Sequence, residues 1–338
     1  MTLQRRLEEF LQAQLPDATG IAVSGLRRAA PSLSRENWLF DARWERHGTT
    51  VERELILRRE PLVQSIASHD EREFRLIGAL HRAAPFPVPE PLWLDLEGRW
   101  LERPFMVLER MRGHGERHLL CDDRRPVEER VALARAFAHV TGQLHALDWR
   151  AAGLGFLDPP ANAGEAAEKA IAYWTGGLVA DGDHGPTLAL TVDWLRRNRP
   201  QDGPLALVHG DLRPANLLVD GAELTALLDW ETAVISDPAE DLVWITIPSN
   251  YAREHFVAGG YELDAFRADY EAAGGAWPDE ARLRFWQVLG VVKLWEYSAA
   301  RVRQARALGV SVGAAAGRVR IWHGWYESLL ADLLGLVA

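Results

Sequence analysis

Three polar residues close behind apolar runs have the types and spacing to do chemistry. Residues 207–231 read LVHGDLRPANLLVDGAELTALLDWE, which places Asp211 after a His-Gly pair, Asn216 five residues later, and Asp229 near the end. Phosphoryl transfer needs a carboxylate beside the attacking hydroxyl and oxygen ligands that hold Mg²⁺ against nucleotide phosphates. Asp211 can fill the first role, and Asn216 with Asp229 the second. The ordered set predicts a phosphoryl-transfer site, although each residue alone would suit an ordinary turn or cap.

Short apolar runs must position these residues. The runs Leu205–Val208, Leu217–Val219 and Leu224–Leu228 are typical of short buried strands, and Asp220-Gly221 between the last two predicts a tight hairpin turn. This arrangement puts the polar residues at strand ends and in loops. We therefore expect them to point into one cleft.

The wider motif resembles a known family. H-G-D-x-x-x-x-N, followed by D-W-E and by D-P-A-E-D-L at residues 237–242, is similar to the aminoglycoside phosphotransferase and choline kinase-like family, above all to the kinase domains attached to acyl-CoA dehydrogenases. The resemblance covers nearly the whole chain. It implies an α+β, bilobal protein-kinase-like fold with a small strand-rich, nucleotide-covering N-lobe, residues 1–112. A larger, mainly helical C-lobe, residues 113–338, would contain the catalytic loop and the metal and acceptor sites.

The resemblance also implies a reaction. It is transfer of the γ-phosphoryl group of ATP or GTP, with Mg²⁺, to a hydroxyl of a small molecule. Among acceptors it favours a hydroxyacyl-CoA first, then an aminoglycoside or another amino alcohol, and then a choline-like alcohol. A nucleotide-binding pseudokinase or scaffold that transfers nothing remains the alternative.

A cation and a glutamate in the N-terminal part resemble a nucleotide-binding pair. The alternating run Val51–Arg58 predicts a strand, and residues 65–82 predict a helix that includes Glu73. In kinase-like folds a cation on the third strand reaches the α- and β-phosphates and is paired by a helix glutamate. Arg58 and Glu73 resemble that pair, with arginine where the wider family usually has lysine. Strand alternation sends Arg59 to the opposite face, and a solvated helix face is the alternative for Glu73.

The expected phosphate-covering loop departs from the family pattern. Residues 26–47 contain no glycine, whereas related kinases usually place glycines there so that backbone amides can approach the phosphates. Ser34 could contact phosphate instead, together with Ser32, Arg35 and Asn37. A plain polar turn is an equal alternative.

The segment PFMVLERMRG, residues 104–113, has the character of a buried strand that turns polar and ends in glycine. In the resembling family this strand leads to the hinge that binds the nucleotide base. By analogy, we expect the Glu109 carbonyl and the Met111 amide to make those bonds. The choice between ATP and GTP stays open.

Supporting roles are expected in the C-terminal part. Asp241 is predicted to accept backbone hydrogen bonds from the catalytic loop, with a simple helix acid as the alternative, and His209 to hold that loop in shape. His145 is interpreted as a packing histidine. The basic residues Arg301, Arg303 and Arg306 follow Lys293 on a predicted helix; a solvated face is one interpretation, and contact with an anionic substrate such as a coenzyme A phosphate is the other.

Composition excludes several classes. The 338 residues are 48% hydrophobic, which allows a large core, and 48 acidic against 38 basic residues give a formal charge of −10, which disfavours a nucleic-acid partner. No run approaches the roughly 18 apolar residues of a membrane helix. We therefore expect no membrane association and a cytoplasmic location. Cys121 is the only cysteine, so an intrachain disulfide is impossible, and the oligomeric state is not indicated.

Overall fold

The computed structural model describes residues 1–29, 35–60, 70–116, 118–180, 186–247, 254–307 and 313–335. The chain divides into two compact units. Unit 1 comprises Met1–Gly115, Ala152–Leu154 and Leu217–Glu231, and unit 2 comprises Glu116–Ala151, Gly155–Asn216 and Thr232–Ala338.

Helices and strands are numbered in chain order within the described residues. The helices are α1 (Leu3–Gln14), α2 (Asp70–Ala83), α3 (Val127–Ala146), α4 (Ala163–Ala180), α5 (Pro186–Arg197), α6 (Ala239–Thr246), α7 (Leu263–Ala272), α8 (Glu280–Ala307) and α9 (Gly313–Leu334). The strands are β1 (Ala18–Arg28), β2 (Glu36–Arg46), β3 (Thr49–Arg59), β4 (Pro91–Asp95), β5 (Phe105–Glu109), β6 (Ala206–Val208), β7 (Leu217–Asp220), β8 (Glu223–Leu227) and β9 (Val234–Ser236).

Unit 1 is built on a five-stranded antiparallel sheet in the order β1-β2-β3-β5-β4. Alternate residues of its strands face one core, where Phe40, Leu55 and Leu57 are buried. Phe10 of α1 packs edge-on against Phe105 of β5, with ring centroids 5.0 Å apart. The expected strand ending at Arg58 is confirmed as β3, which extends to Arg59.

The hairpin β7–β8 also belongs to unit 1 and corrects one prediction. Asp220 is not a turn residue, because it is the last residue of β7 and pairs with Glu223. The turn consists of Gly221 and Ala222, and Gly221 has φ +59°. A type II′ turn needs a glycine at its first central position, so the turn begins one residue later than the Asp-Gly pattern indicates.

Unit 2 is mainly helical and includes the short antiparallel pair β6–β9. Its core surrounds α8, where Trp286 and Trp295 are almost fully buried. Burial of such large rings removes apolar area from water and so stabilises this core. Among the described residues, no helix has the length and apolar character needed to cross a membrane.

Candidate active site

A buried ionic cluster in unit 1 joins β3 to α2. Arg58 Nη1 donates to Glu73 Oε1 at 2.7 Å, and Arg35 pairs with the other carboxylate oxygen of Glu73. The Glu73 side chain is 1% exposed, so the alternative of a solvated helix face was wrong. Burial alone would raise the pKa of Glu73, but the charges of Arg58 and Arg35 outweigh it and lower that pKa. The carboxylate therefore stays ionised and orients both guanidinium groups.

Strand alternation separates the two neighbouring arginines of β3, as expected. Arg59 lies on the other side of the strand, where Nη2 donates to Glu36 Oε2 at 2.7 Å. Arg103 Nη2 donates to the same oxygen at 3.0 Å. Arg59 therefore belongs to a separate ion-pair group, and Arg58 is the β3 cation that pairs with Glu73.

Asp229 lies at the end of the β7–β8 hairpin, beside this cluster. Its Oδ1 is 3.5 Å from Arg58 Nη2, and its backbone has φ +68°, which is uncommon for a residue other than glycine. Backbone strain of this kind tends to occur at functional sites. Trp230 begins the 3₁₀ turn that follows Asp229. Its ring stacks on that of Phe86, with the centroids 6.2 Å apart, and this contact anchors the start of the turn.

Glu231 is a further acidic residue near Asp229 and Glu73, and it was not among the predicted site residues. Burial first, and then the negative charge of Asp229, raise the pKa of Glu231 to about 7. Its position two residues after Asp229 in D-W-E was the available signal. The sequence alone did not indicate that this side chain is partly buried beside Asp229.

The predicted catalytic loop in unit 2 is closed by a side-chain amide. Asn216 Nδ2 donates to the Asp211 carbonyl at 2.7 Å and to Asp211 Oδ2 at 3.0 Å. The 3₁₀ turn Pro214–Asn216 makes this return possible across a spacing of five residues. Arg213 Nε lies 3.1 Å from Asp211 Oδ1. Because Nδ2 of Asn216 donates to Asp211, its side-chain carbonyl oxygen is the atom that can serve as a metal ligand.

Asp241 braces this loop, which confirms the prediction. Its carboxylate accepts from the His209 amide at 2.7 Å and from the Gly210 amide at 2.8 Å. His145 Nε2 lies 3.1 Å from the same carboxylate, so the packing interpretation of His145 is also confirmed. Burial opposes ionisation of Asp241, but the hydrogen bond and charge of His145, with contributions from His209, lower its pKa. The residues before Asp211 are therefore held by an ionised, fully buried carboxylate.

The backbone before Asp211 is shaped by a glycine and by His209. Gly210 has φ +82°, and a Cβ atom there would lie 2.6 Å from the Thr232 carbonyl oxygen. Glycine is required on both counts. The Asp211 amide donates to His209 Nδ1 at 3.3 Å, which agrees with the predicted role of His209 in shaping the loop.

Lys293 on α8 is a contributor that the sequence did not reveal. Its Nζ donates to the Gly210 carbonyl oxygen and lies 3.7 Å from Glu240 Oε1, and the residue is only 5% exposed. Further along α8, Arg301 is exposed and Arg303 pairs with Glu296. The side chain of Arg306 lies outside the described residues. Lys293 therefore differs from the basic residues that follow it, because it is buried against the catalytic loop.

The remaining predicted nucleotide-binding residues are only partly described. Glu109 ends β5, where its amide donates to the Glu90 carbonyl at 2.8 Å. Within the described part of the chain, the Met111 amide has no hydrogen-bond acceptor, which leaves it available as a donor. Ser34 and Ser32 lie outside the described residues, and the roles of Glu109, Met111 and Ser34 stay predictions.

The predicted metal ligands have suitable chemistry. The donor set is one amide oxygen, from Asn216, and one carboxylate, from Asp229, whose side chain is 36% exposed. Mg²⁺ is commonly held by one or two protein oxygens together with waters and substrate phosphates. In the described residues, no group of three or more His, Cys, Asp or Glu side chains could hold a metal by itself. The predicted pair fits an ion that a nucleotide also helps to hold.

A strand-rich unit with an arginine–glutamate pair and a helical unit with a braced Asp-Asn loop define a kinase-like phosphotransferase. Residues 35–286 match the sequence profile of the phosphotransferase enzyme family known as APH. The chain belongs to that family. The predicted family, α+β kinase-like fold class and phosphotransferase class are thereby confirmed.

Two vertebrate relatives contain a similar segment. The chain is 30% identical over 199 residues to mouse acyl-CoA dehydrogenase family member 10 and 31% identical over 181 residues to chicken acyl-CoA dehydrogenase family member 11. These matches cover 57% and 52% of this chain but only 18% and 22% of the relatives. The chain thus spans about a fifth of the length of these relatives.

Solved structures show the same fold. A Ralstonia eutropha JMP134 protein of the aminoglycoside phosphotransferase type superposes with a TM-score of 0.70 at 22% identity, covering 96% of this chain and 98% of that one. The macrolide 2'-phosphotransferase MphH of Brachybacterium faecium gives 0.56 at 21% identity, with 94% and 97% covered. At these identities the likeness is one of fold.

Proposed function

We propose that this chain transfers the γ-phosphoryl group of ATP or GTP to a hydroxyl group of a small acceptor. Family membership supports the reaction class. Two proteins of similar fold support the choice of co-substrates. A thermostable mutant of aminoglycoside phosphotransferase APH(4)-Ia forms a ternary complex with AMP-PNP and hygromycin B, and a mutant of aminoglycoside 2'-phosphotransferase-IIIa forms a GDP complex.

The observation that carries the proposal is the fixed carboxylate of Asp211. Asn216 and Arg213 contact its oxygens, and Asp241 holds the backbone in front of it. In the proposed reaction Asp211 orients the acceptor hydroxyl and takes up its proton. The hydroxyl oxygen bonds to the γ-phosphorus while the bond to the leaving nucleoside diphosphate breaks. A carboxylate with one defined orientation lowers the entropic cost of this alignment.

The charged cluster of unit 1 has a complementary role in the proposal. Arg58, oriented by Glu73, binds the α- and β-phosphates with a planar fork of donors. Asn216 and Asp229 would hold Mg²⁺, which offsets negative charge on the phosphates when bound. Ser34 is assigned to the phosphates, and the Glu109 carbonyl and Met111 amide to the nucleotide base.

For the acceptor, we propose a hydroxyacyl-CoA first. The D-W-E sequence at Asp229 and the β3 arginine support this choice, because they resemble the kinase domains attached to acyl-CoA dehydrogenases. The two vertebrate relatives carry that enzyme family's name. Aminoglycosides and other amino alcohols come second, and choline-like alcohols third.

The test is release of ADP or GDP in the presence of Mg²⁺, measured with hydroxyacyl-CoAs, aminoglycosides and amino alcohols as acceptors. Asp211→Asn should lower acceptor-dependent turnover by about 1,000-fold, within the range expected for loss of a general base, while Mg-nucleotide affinity stays nearly unchanged. Asp202→Asn, an exposed position in the same unit, is the matched control and should keep full activity.

Three outcomes would contradict the proposal. Turnover that survives in Asp211→Asn would remove the carboxylate from the mechanism. Absence of nucleotide binding to the unaltered chain would exclude the kinase function, whereas binding without turnover on any acceptor would favour the pseudokinase alternative.

A further inference from the structure

Arg35 is a buried cation beside the predicted phosphate-binding arginine. It belongs to the glycine-free segment 26–47 and directly precedes β2. The register of the sheet brings it near Arg58, because Asn37, two residues further along, pairs with Arg58 of β3. The two guanidinium groups contact the same carboxylate, that of Glu73. Two like charges are therefore held together in the part of unit 1 that faces the nucleotide phosphates in the proposed function.

The shared carboxylate has one guanidinium group for each of its oxygens. Arg58 Nη1 donates to Glu73 Oε1 at 2.7 Å, and Arg35 Nη1 donates to Glu73 Oε2. A carboxylate between two guanidinium groups stays ionised, and one of these groups is enough to balance its charge. The three side chains together therefore keep one net positive charge, whereas a simple arginine–glutamate pair keeps none.

Acidic groups at the end of the β7–β8 hairpin lie close to the same cations. Asp229 Oδ1 is 3.5 Å from Arg58 Nη2, and Glu231 adds negative charge nearby when it is ionised. Glu73 and Asp229 together carry more charge than Arg58 alone. A phosphate that approached Arg58 would then meet an excess of negative charge, which repels it. Arg35 offsets that excess.

The two arginines differ in their exposure. The Arg58 side chain is 12% exposed and that of Arg35 is 4% exposed. An anion in solution therefore has access to Arg58 and hardly any to Arg35. Arg35 can act on such an anion through its charge and through its hold on Glu73, without touching it.

On the basis of the proposed function, we infer that Arg35 is a positioning residue for phosphate binding. It holds Glu73 by one oxygen and offsets its charge, so that the charge of Arg58 remains available to the phosphates. Loss of one unit charge from such a partly buried group should weaken phosphate binding by roughly 10-fold. The effect concerns the phosphates alone, whereas a purely structural arginine would affect nucleoside and nucleotide binding alike.

The test compares a nucleotide with its own nucleoside. ADP and adenosine share base and ribose and differ in the two phosphates assigned to Arg58; GDP and guanosine replace them if the chain binds guanine. Both dissociation constants are measured with Mg²⁺ on the full chain by calorimetry, with displacement titrations for the weaker ligand. We expect Arg35→Met to lower the preference for the nucleotide by roughly 10-fold and to leave the nucleoside affinity nearly unchanged.

Three further variants identify the cause. Arg59→Met is the matched control, because Arg59 follows Arg58 on β3 but lies on the other face and pairs with Glu36. It should keep the nucleotide preference. Arg35→Lys keeps the charge and should retain most of that preference. If Arg35→Met does not fold, Arg35→Gln is the neutral variant that keeps a donor for the Glu73 carboxylate.

The outcomes are distinct. An unchanged nucleotide preference in the neutral Arg35 variants overturns the inference, and so does a loss of the same size in Arg59→Met or in Arg35→Lys. Equal weakening of nucleoside and nucleotide binding overturns it too, because Arg35 would then act on the fold alone. A chain that binds no nucleotide overturns both this inference and the proposed function. Since the binding needs no acceptor, lack of turnover with every acceptor counts against the proposed function alone.

Discussion

The two charged clusters of the molecule are held by different kinds of contacts. In unit 1, the carboxylate of Glu73 is bound by the guanidinium groups of Arg35 and Arg58. In unit 2, the carboxylate of Asp241 is bound by the amides of the catalytic loop and by His145. The contacts of Glu73 orient two guanidinium groups, whereas the contacts of Asp241 fix the backbone conformation of the catalytic loop.

This difference determines how each cluster responds to damage. A buried guanidinium group that loses its carboxylate partner keeps its positive charge. A small anion that binds to it can therefore restore part of the lost electrostatic and hydrogen-bonding energy. Backbone amides that lose an acceptor have fixed positions, and an added anion cannot enter that fully buried site. Replacing each carboxylate by its neutral amide should therefore distinguish a loss of stability that an added anion can reverse, at Glu73, from one that it cannot, at Asp241.

The largest effect is expected at Asp241. Asp241→Asn places an amide NH₂ group against donors that already face the site, so at least one buried amide loses its acceptor. We expect the free energy of unfolding to fall by about 3–5 kcal/mol, measured by urea denaturation. Added phosphate should restore none of this loss.

Asp264→Asn is the matched control, because Asp264 is exposed in the first turn of α7. Its effect should stay within about 0.5 kcal/mol. Equal effects of the two substitutions would mean that Asp241 acts only as an ordinary helix acid.

A smaller effect is expected at Glu73. Glu73→Gln leaves Arg35 and Arg58 without their shared carboxylate, and the free energy of unfolding should fall by about 3 kcal/mol. Inorganic phosphate should recover part of that loss, because an anion can reach the guanidinium group of Arg58, whose side chain is 12% exposed. Urea denaturation with and without phosphate measures both quantities.

Glu71→Gln, at an exposed position of the same helix, serves as the control. It should change the free energy of unfolding little and respond to phosphate as the unaltered chain does. A phosphate response that is the same for Glu73→Gln and Asp241→Asn would remove the distinction between the two clusters.

Short-range patterns predicted much of this arrangement. The spacing from Asp211 to Asn216 placed both residues in one loop, and the local 3₁₀ turn between them brings their side chains into contact. Alternation along β3 correctly separated Arg58 from Arg59, since a strand sends successive side chains to opposite faces. Asp241 was identified as a brace from its place in the family motif.

Features that depend on distant parts of the chain could not be predicted in the same way. Lys293 reaches Gly210 across a sequence separation of 83 residues, and a lysine on a helix ordinarily suggests a solvated face. The partial burial of Glu231 depends in the same way on tertiary packing.

The hairpin turn after β7 begins one residue later than the sequence pattern predicted, because Asp220 pairs with Glu223 across the two strands.

The smallest effect is expected at Glu36, which pairs with Arg59 and Arg103. Burial alone would raise its pKa, but hydrogen bonds from Arg59 and Arg103 lower it from 4.5 to about 2. A carboxyl group with a lowered pKa in the folded state stabilises the protein above pH 4.5, and this contribution is lost as the pH falls toward 2. Allowing for solvent screening, Glu36→Gln should lower the free energy of unfolding by about 1–2 kcal/mol at neutral pH.

The difference between Glu36→Gln and the unaltered chain should therefore shrink as the pH falls below 4.5, because protonated Glu36 resembles glutamine. Urea denaturation over this pH range measures it. Glu223→Gln removes an exposed partner of Arg112, 2.9 Å away, and should cost less than about 0.5 kcal/mol at every pH. If Glu223→Gln matched Glu36→Gln in size and pH dependence, exposure would not govern the strength of these ion pairs, and the special status given to the buried Glu73 cluster would lose its physical basis.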